Sequence, residues 1–442
     1  NGDGSLTVEV KKIGEGTFLA GVMRSVAEAQ ASKSRLQILS DHAALYLTVI
    51  AVLAGTATFV VWILSDAGIV FATERLVAVL VITCPHALGL AVPLVASIST
   101  TMAARNGFLV RQRIALESAR TIDIVLFDKT GTLTKGAFGV HSIIPAGLFG
   151  EVEVLQNGAG IDQGSEHPLA KAIVAEAHKR GVAIPSVKNF ERVAGKGARG
   201  DVGGQAVLLG NEAFMNESAV TLAAEILLKT RALEKEGKTV IFVASRGQFV
   251  GAISLADIIR EESREAIRAL RALGIRTAMI TGDSPDVAKW VAHELGIDEY
   301  FARVLPGEKA EKVKILQAKG HKVAMVGDGV NDAPALTQAD LGIAIGAGTN
   351  VAIESAGIIL VKNDPRDIPK IIRLSQLTYR KMIQNLFWAT GYNLVALPLA
   401  AGVLVSRGVV LEPAVAAVFM SASTVIVAIN ALLLRRRNLS TI

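Results

Sequence analysis

The sequence of 442 residues predicts a multidomain α-helical membrane protein with cytoplasmic α/β domains, one of them built on a doubly wound sheet. Three observations carry that expectation. Apolar residues crowd into four long blocks, the blocks stand as two pairs around a mixed and charged middle segment, and that segment alternates short apolar runs with amphipathic helical stretches. Hydrophobic residues make up 51% of the chain and the mean hydropathy is +0.44, high for a wholly soluble protein.

The blocks occupy 43–64, 69–102, 382–405 and 409–434. Each reaches about 20 residues, enough for a helix to cross roughly 30 Å of hydrocarbon. Buried core helices are the plainer alternative, but 43–64 carries no charge and the blocks pair off as hairpins. Lys33, Arg35, Arg105, Arg111, Arg113, Arg373, Arg380, Lys381 and Arg435 to Arg437 flank the ends facing the middle segment, whereas the outer connections carry only Arg407. The positive-inside tendency therefore places the middle segment in the cytoplasm, with the helices in lipid, expected to be the plasma (inner) membrane. A net charge of +6 calls for no nucleic acid partner. The single cysteine, Cys84, excludes an intramolecular disulfide and any Cys-x-x-Cys module. No signal peptide is visible, the chain starts at Asn1, and a strand-like 5–10 leads nowhere, so an internal fragment is expected.

In the middle segment three apolar runs end in an acidic or glycine-rich turn: 122–127 before Asp128, 277–280 before Thr281-Gly282-Asp283, and 323–326 before Gly327-Asp328. Such runs suit buried parallel strands. Amphipathic stretches at 261–273, 285–295 and 307–319 supply the helices of a doubly wound sheet. Ligands of such sheets bind beyond the carboxyl ends of the strands, where Asp128, Thr281, Asp283, Asp328 and Asp332 fall. Any one of these would more often cap a helix or fill a turn; their convergence weakens that explanation. Roughly 120 residues separate the first strand from the others, more than a connection needs, so 138–256 reads as an inserted domain. Within it, 198–202 and 205–209 flank a Gly203-Gly204 turn as a hairpin, and 167–180 is helical.

The segment Asp128-Lys129-Thr130-Gly131-Thr132-Leu133-Thr134 sets a carboxylate at a strand end, followed by backbone and hydroxyl groups suited to a phosphoryl group. Such a carboxylate can act as a nucleophile, and phosphoryl transfer needs charge neutralised around the equatorial oxygens. Mg2+ on Asp128 and Asp328, with Lys309 nearby, would neutralise it. Together Asp128-Lys129-Thr130-Gly131-Thr132, Thr281-Gly282-Asp283 and Gly327-Asp328-Gly329-Val330-Asn331-Asp332 resemble, in order and spacing, the signature set of P-type ATPases. The resemblance covers essentially the whole chain. It implies a haloacid-dehalogenase-like phosphorylation domain with an inserted α+β nucleotide-binding domain, ATP and Mg2+ as cofactors, and an aspartyl phosphate at Asp128. By the same resemblance Thr130 and Asp328 join Asp128 in holding Mg2+, and Lys129, Thr281, Gly282, Asp283, Lys309, Asn331 and Asp332 complete the catalytic set. Residue type alone would make Lys309 a solvated helix charge.

A soluble haloacid-dehalogenase-type phosphatase is the competing enzyme, sharing sheet and nucleophile. Those phosphatases usually carry a second Asp two residues after the nucleophile as general acid and base; here that position is Thr130. A non-catalytic scaffold would predict damaged motifs, and none is seen. In the insert, Ser165-Glu166-His167-Pro168 resembles the His-Pro motif of heavy-metal P-type ATPases, whose histidine helps to hold ATP. Gly195-Lys196-Gly197 and Gly210-Asn211 match the same nucleotide site, and Asp162 stands where that class usually has Glu, keeping the charge and shortening the reach. Residues 195–200 also fit a Gly-x-Gly-x-x-Gly pattern, but a strand follows rather than the helix that dinucleotide binding requires.

Cys84-Pro85-His86 lies inside the second apolar block, where Pro85 breaks the helix and polar groups are usually functional. Thiolate with imidazole suits copper, with zinc the main competitor. Tyr392, Asn393 and Pro398, then Met420, Ser421, Ser423 and Thr424, could face them; Met420, Ser423 and Thr424 share a helical face, although small residues also serve membrane packing. These segments resemble the Cys-Pro-His subclass of heavy-metal P-type ATPases, associated with copper export. That resemblance implies a transported-copper site of Cys84, His86, Tyr392, Asn393, Met420, Ser423 and Thr424, with silver a further candidate. Zinc pumps usually show an acidic or lysine partner, and none appears in the last hairpin. The expected divisions are an actuator end and linker at 1–37, two transmembrane helices at 38–107, a phosphorylation domain at 108–137 and 257–375, a nucleotide-binding domain at 138–256, and two transmembrane helices with a basic tail at 376–442. The family's Thr-Gly-Glu loop is absent and 1–18 resembles only the tail of an actuator domain, so this chain alone is expected to accept phosphate but to transport nothing.

Overall fold

The computed structural model describes residues 35–328, 330–345 and 354–439, and the expected strand at 5–10 and actuator tail lie outside them. Two compact units emerge, one of 1–123, 316–325 and 335–442, the other of 124–315 and 326–334.

The first unit begins with helices α1 (Arg35–Leu64), α2 (Ile69–Ile82) and α3 (His86–Arg105), then strand β1 (Phe108–Val110) and α4 (Arg113–Ser118). The break between α2 and α3 has a local cause: Pro85 has no N–H to donate and occupies the N-cap of α3. Among the described residues three stretches are long and apolar enough to cross a membrane: 35–64, 69–105 and 413–436.

The second unit follows with β2 (Ile124–Asp128), β3 (Thr134–Pro145), α5 (Glu151–Asp162), α6 (Pro168–Lys179), β4 (Val187–Val193), β5 (Gly197–Val202), β6 (Gln205–Gly210), α7 (Glu212–Glu217), α8 (Ala224–Lys235), β7 (Thr239–Ser245) and β8 (Gln248–Ile259). It continues with α9 (Glu261–Ala272), β9 (Arg276–Ile280), α10 (Pro285–Leu295), β10 (Glu299–Phe301) and α11 (Lys309–Ala318). The chain then passes through β11 (Val323–Gly327), α12 (Ala333–Gln338), β12 (Leu341–Ile345), β13 (Ile358–Leu360), α13 (Asp367–Thr390), α14 (Asn393–Ala400) and α15 (Pro413–Leu432).

In the second unit β2, β9 and β10 are neighbours, parallel throughout, and the end of β11 lies beside β2. In the first unit the order is β1-β13-β12-β11, with β1 antiparallel to β13 and β12 parallel to it. All five residues of β2 and of β11 are buried, as continuous apolar runs in a parallel sheet should be. The insert is an antiparallel sheet, β3-β8-β7-β6-β5-β4. Leu155, Ile161 and Ile173 of α5 and α6 pack with Val207 and Ile253 in one core, and Phe214, Met215 and Ile226 of α7 and α8 pack with Phe242 and Phe249 in another. The hairpin at Gly203-Gly204 forms as expected, both glycines at positive φ (58° and 82°).

Two expectations change. Strands β3 and β8 run across the boundaries drawn at 137/138 and 256/257, pairing from Thr134 with Ile259 to Pro145 with Gly251. The apolar block at 382–405 is not one regular helix: α13 ends at Thr390, the helical ladder is interrupted at Gly391 and Tyr392 although both keep helical backbone angles, and α14 is only 8 residues long. A Cβ at Gly391 would stand 2.7 Å from the Phe387 carbonyl oxygen.

Candidate active site

Asp128 closes β2 and is 7% exposed. Because the strand beneath it is apolar and buried, its carboxylate is carried to the carboxyl edge of the sheet, where the turns after β11 bring Asp328 and Asp332. Carboxylate oxygens of the three lie within 4.8 Å of one another. Lys309, at the start of α11, donates to Asp128 Oδ1 at 2.7 Å and to Asp332 Oδ1 at 2.6 Å. Burial and the neighbouring Asp332 push the Asp128 carboxyl up to about 7, against the pull of Lys309. Asp328 is raised as well, by burial and by Asp332. Burial pulls Lys309 downward, but Asp128 and Asp332 outweigh it and hold the ammonium above its ordinary range. A hard-oxygen cluster carrying more negative charge than one lysine balances fits a divalent cation such as Mg2+. Gly131, at φ 77°, comes so near Asp328 that a Cβ would lie 2.0 Å from its Oδ2.

The turn after Asp128 is clamped from several sides. Lys129 is buried, with Nζ 2.6 Å from Asp283 Oδ2 and 3.4 Å from Asp257 Oδ2. Thr130 and Asn331 are exposed. Thr281 Oγ1 accepts from the Asp283 N–H at 3.1 Å, which fixes the turn through Gly282. Asp257 and Arg260 escaped the sequence reading. Thr134 Oγ1 donates to Asp257 Oδ2 at 2.6 Å, while Arg260 Nε and Nη2 donate to the carbonyls of Thr134 at 2.9 Å and Gly131 at 3.1 Å. Their only sequence signal was position, at the return from the insert.

The insert carries an open pocket of about 370 Å3 lined by Asp162, His167, Gly195, Gly197, Gly210 and Asn211, together with Phe190 and Ile241. Glu166 is not in that lining; it is exposed and pairs with Lys171. His167 caps α6, its Nδ1 accepting the Leu169 N–H at 3.3 Å, so a neutral ring carries its proton on Nε2. Asn211 caps α7 through Phe214 and donates to the Gly195 carbonyl at 3.1 Å. Gly197 and Gly210 allow two backbones to touch: a Cβ would lie 2.0 Å from the Leu209 carbonyl oxygen at the first and 2.4 Å from that of Lys196 at the second. Asp162 is 5% exposed, its Oδ2 has no hydrogen-bond partner among the described residues, and burial raises its carboxyl to about 7.

Residues 122–340 match the family model of the haloacid dehalogenase-like hydrolases. Over 435 residues the chain is 55% identical to the copper-exporting P-type ATPase B of Archaeoglobus fulgidus, covering 98% of this chain and 62% of that one. It is 43% identical to the probable copper-transporting P-type ATPase B of Staphylococcus epidermidis, covering 98% and 64%. The chain therefore spans less than two thirds of the length of these curated relatives. A crystal structure of a zinc-transporting PIB-type ATPase in the E2.Pi state matches with a TM-score of 0.76 at 33% identity, covering 97% of this chain and 69% of that one. The chain belongs to the P-type ATPase family.

In this P-type ATPase the apolar helices lie outside the haloacid dehalogenase-like span. Cys84 and His86 flank the break between α2 and α3 and are both exposed. His86 Nδ1 is 3.5 Å from Thr424 Oγ1. Asn393 is buried, and neither atom of its amide has a partner among the described residues. Tyr392 donates its hydroxyl to the Ile82 carbonyl at 3.2 Å, which ties the start of α14 to the end of α2. Met420 is half-buried, and Thr424 also donates to its carbonyl at 3.2 Å. Ser423 donates to the Trp388 carbonyl at 3.0 Å, a helix-packing contact.

Proposed function

We propose that the protein uses ATP to export copper across a membrane through an aspartyl phosphate at Asp128. The observation that carries this reading is the buried Asp128, bound at Oδ1 by Lys309 and crowded by Asp328 and Asp332. With Oδ1 engaged, Oδ2 is the atom free to attack the γ-phosphorus; the new bond is Oδ2–P, the bond broken joins that phosphorus to the β-γ bridging oxygen, and ADP leaves with the electron pair. Asp128, Asp328 and Asp332, with Thr130 at the mouth, would hold Mg2+, whose charge would neutralise the phosphoryl oxygens. Lys309 supplies a fixed positive charge, and Lys129, locked to Asp283 and Asp257, holds the turn in place. Thr130 provides no general base, so the phosphoenzyme persists.

ATP is assigned to the cavity of the insert, where the unpartnered Asp162 oxygen suits a donor on the base and the glycine backbones admit close approach. We assign the nucleotide-binding role to the insert, whose paired strands β3 and β8 run from Thr134 to Ile259, phosphorylation to 108–133 and 260–375, and ion passage to 38–107 and 376–442. The α/β domains are assigned to the cytoplasm and the helices to the plasma membrane. The thiol of Cys84 and the imidazole of His86, with Thr424 beside the latter, favour a soft ion, and the names of the two curated relatives favour copper.

The test is labelled ATP with Mg2+ on the full-length protein, with monovalent copper, divalent copper or zinc. The expected result is acid-stable label that requires copper and disappears in Asp128→Asn. Label stimulated by zinc alone would overturn the ion; no label under any condition would overturn the pump.

A further inference from the structure

Arg75 sits within α2, in the apolar stretch 69–105, and is 0% exposed. Ionised side chains inside a spanning segment are unfavourable and are retained where they act. Its Nη1 donates to the Leu411 carbonyl at 2.6 Å, its guanidinium stands 5.2 Å from the centre of the Phe71 ring, and its Nε has no partner among the described residues. Glu74, the nearest acid, is 3.9 Å away and its side chain is 52% exposed, so it balances the charge only weakly.

Beside it, Trp62 of α1 meets Phe71 edge-on at 5.0 Å and donates its indole N–H to the Ala401 carbonyl at 2.9 Å. A Cβ at Gly402 would lie 2.9 Å from the Trp62 ring. The segment between α14 and α15 is thus held at both ends, by Trp62 at Ala401 and by Arg75 at Leu411. Ala78, Val79 and Ile82 of α2 pack with Ala400 and Ala416 just beneath. An apolar side chain of similar volume would fill the Arg75 site without burying a charge, so packing alone does not explain the arginine.

We propose that Arg75 is a positioning residue for ion release. With Trp62 it holds the 401–412 segment closed over the outer end of α2. Its positive charge, about 13 Å along the helix from Cys84, opposes a cation leaving outward until the Leu411 contact breaks. The inference rests on the transport reading above.

The experiment uses the full-length protein in sealed lipid vesicles loaded with monovalent copper. It reads copper moved per ATP hydrolysed, passive copper leak without ATP, and labelled phosphoenzyme. Arg75→Met should raise the leak about tenfold, the scale of one lost charge-assisted hydrogen bond, and lower copper per ATP while the label remains. Arg75→Lys should restore much of the barrier, and Trp62→Phe should leak to a smaller extent. Wild-type leak and coupling in both Arg75→Met and Trp62→Phe would overturn the proposal. Loss of label in Arg75→Met with unaltered coupling in Trp62→Phe would also overturn it, making Arg75 structural. If Arg75→Met does not fold, Arg75→Lys and Trp62→Phe decide. A wild type that moves no metal would instead sink the transport reading, whatever the variants do.

Discussion

At Asp128 the same crowding that prepares a cation site makes the free carboxylate difficult to ionise. With its carboxyl raised to about 7 by burial and Asp332, the nucleophile is protonated on the acid side of neutrality. The initial rate of labelling by ATP should therefore fall about tenfold per unit below pH 7 at low Mg2+, and added Mg2+ should move that fall to lower pH. A flat profile would place the reactive form elsewhere. Asp162 gives a stability counterpart. Its folded-state value of about 7 lies above the ordinary 3.8, so stability is full below pH 4 and is lost as pH rises towards 7. Asp162→Asn should remove that loss, gaining up to about 4 kcal/mol at pH 8 and flattening the decline in melting temperature with pH, while weakening nucleotide binding. An unchanged slope would mean that the orphaned oxygen is satisfied. Asp128 and the glycines were readable as residues because they sit in short contiguous motifs, and Lys309 only through the family resemblance. Asp257 and Arg260 were not, since what makes them matter is contact with Lys129, Thr134 and Gly131, remote in sequence.

The elements themselves were read well wherever one physical cause dominated. Buried β2, β9 and β11 come from unbroken apolar runs, α10 begins at Pro285 behind a Ser284 cap, and the break before α3 follows from Pro85. The reading failed where two causes competed. Over 382–405 continuous apolarity hides the interruption of the helix at Gly391, and the length of the insert marks its presence without marking that β3 and β8 cross its edges. Arg75 is inconspicuous for a related reason, because the adjacent Glu74 and Arg75 hardly alter the apolar character of the long block around them. Two element-scale variants follow. Arg260→Met should loosen the turn after Asp128 and slow phosphorylation about tenfold while leaving ATP affinity intact, as a binding assay beside the labelling assay would show. Gly210→Ala, pressed against the Lys196 carbonyl, should do the reverse, weakening ATP binding without altering labelling at saturating nucleotide.

Taken as a whole molecule, the chain divides its chemistry: Asp128, its acidic partners and the cavity of the insert belong to the second unit, while Cys84, His86 and Thr424 belong to the first. Cys84→Ala and His86→Ala should therefore abolish copper-dependent labelling in the full-length protein while leaving ATP binding unchanged; labelling that survives both would move the transported ion away from this break. The class of machine was legible because three motifs occur in order between apolar blocks. The ion proposed was legible as chemical softness and as a resemblance to the Cys-Pro-His subclass, and its ligand geometry was not, since that is set by helices far apart in sequence. One feature of the second unit has mechanical weight. The insert is joined to the rest of that unit through β3 and β8, paired along their length but with irregular register between Thr134 and Phe138 and again between Val140 and Ser142. A two-stranded ribbon resists shear between its strands and bends more readily across its face, most easily where bulges interrupt the ladder. It behaves as a leaf spring: a nucleotide carried by the insert would travel along one repeatable arc, and its γ-phosphate would arrive at the same point on every stroke.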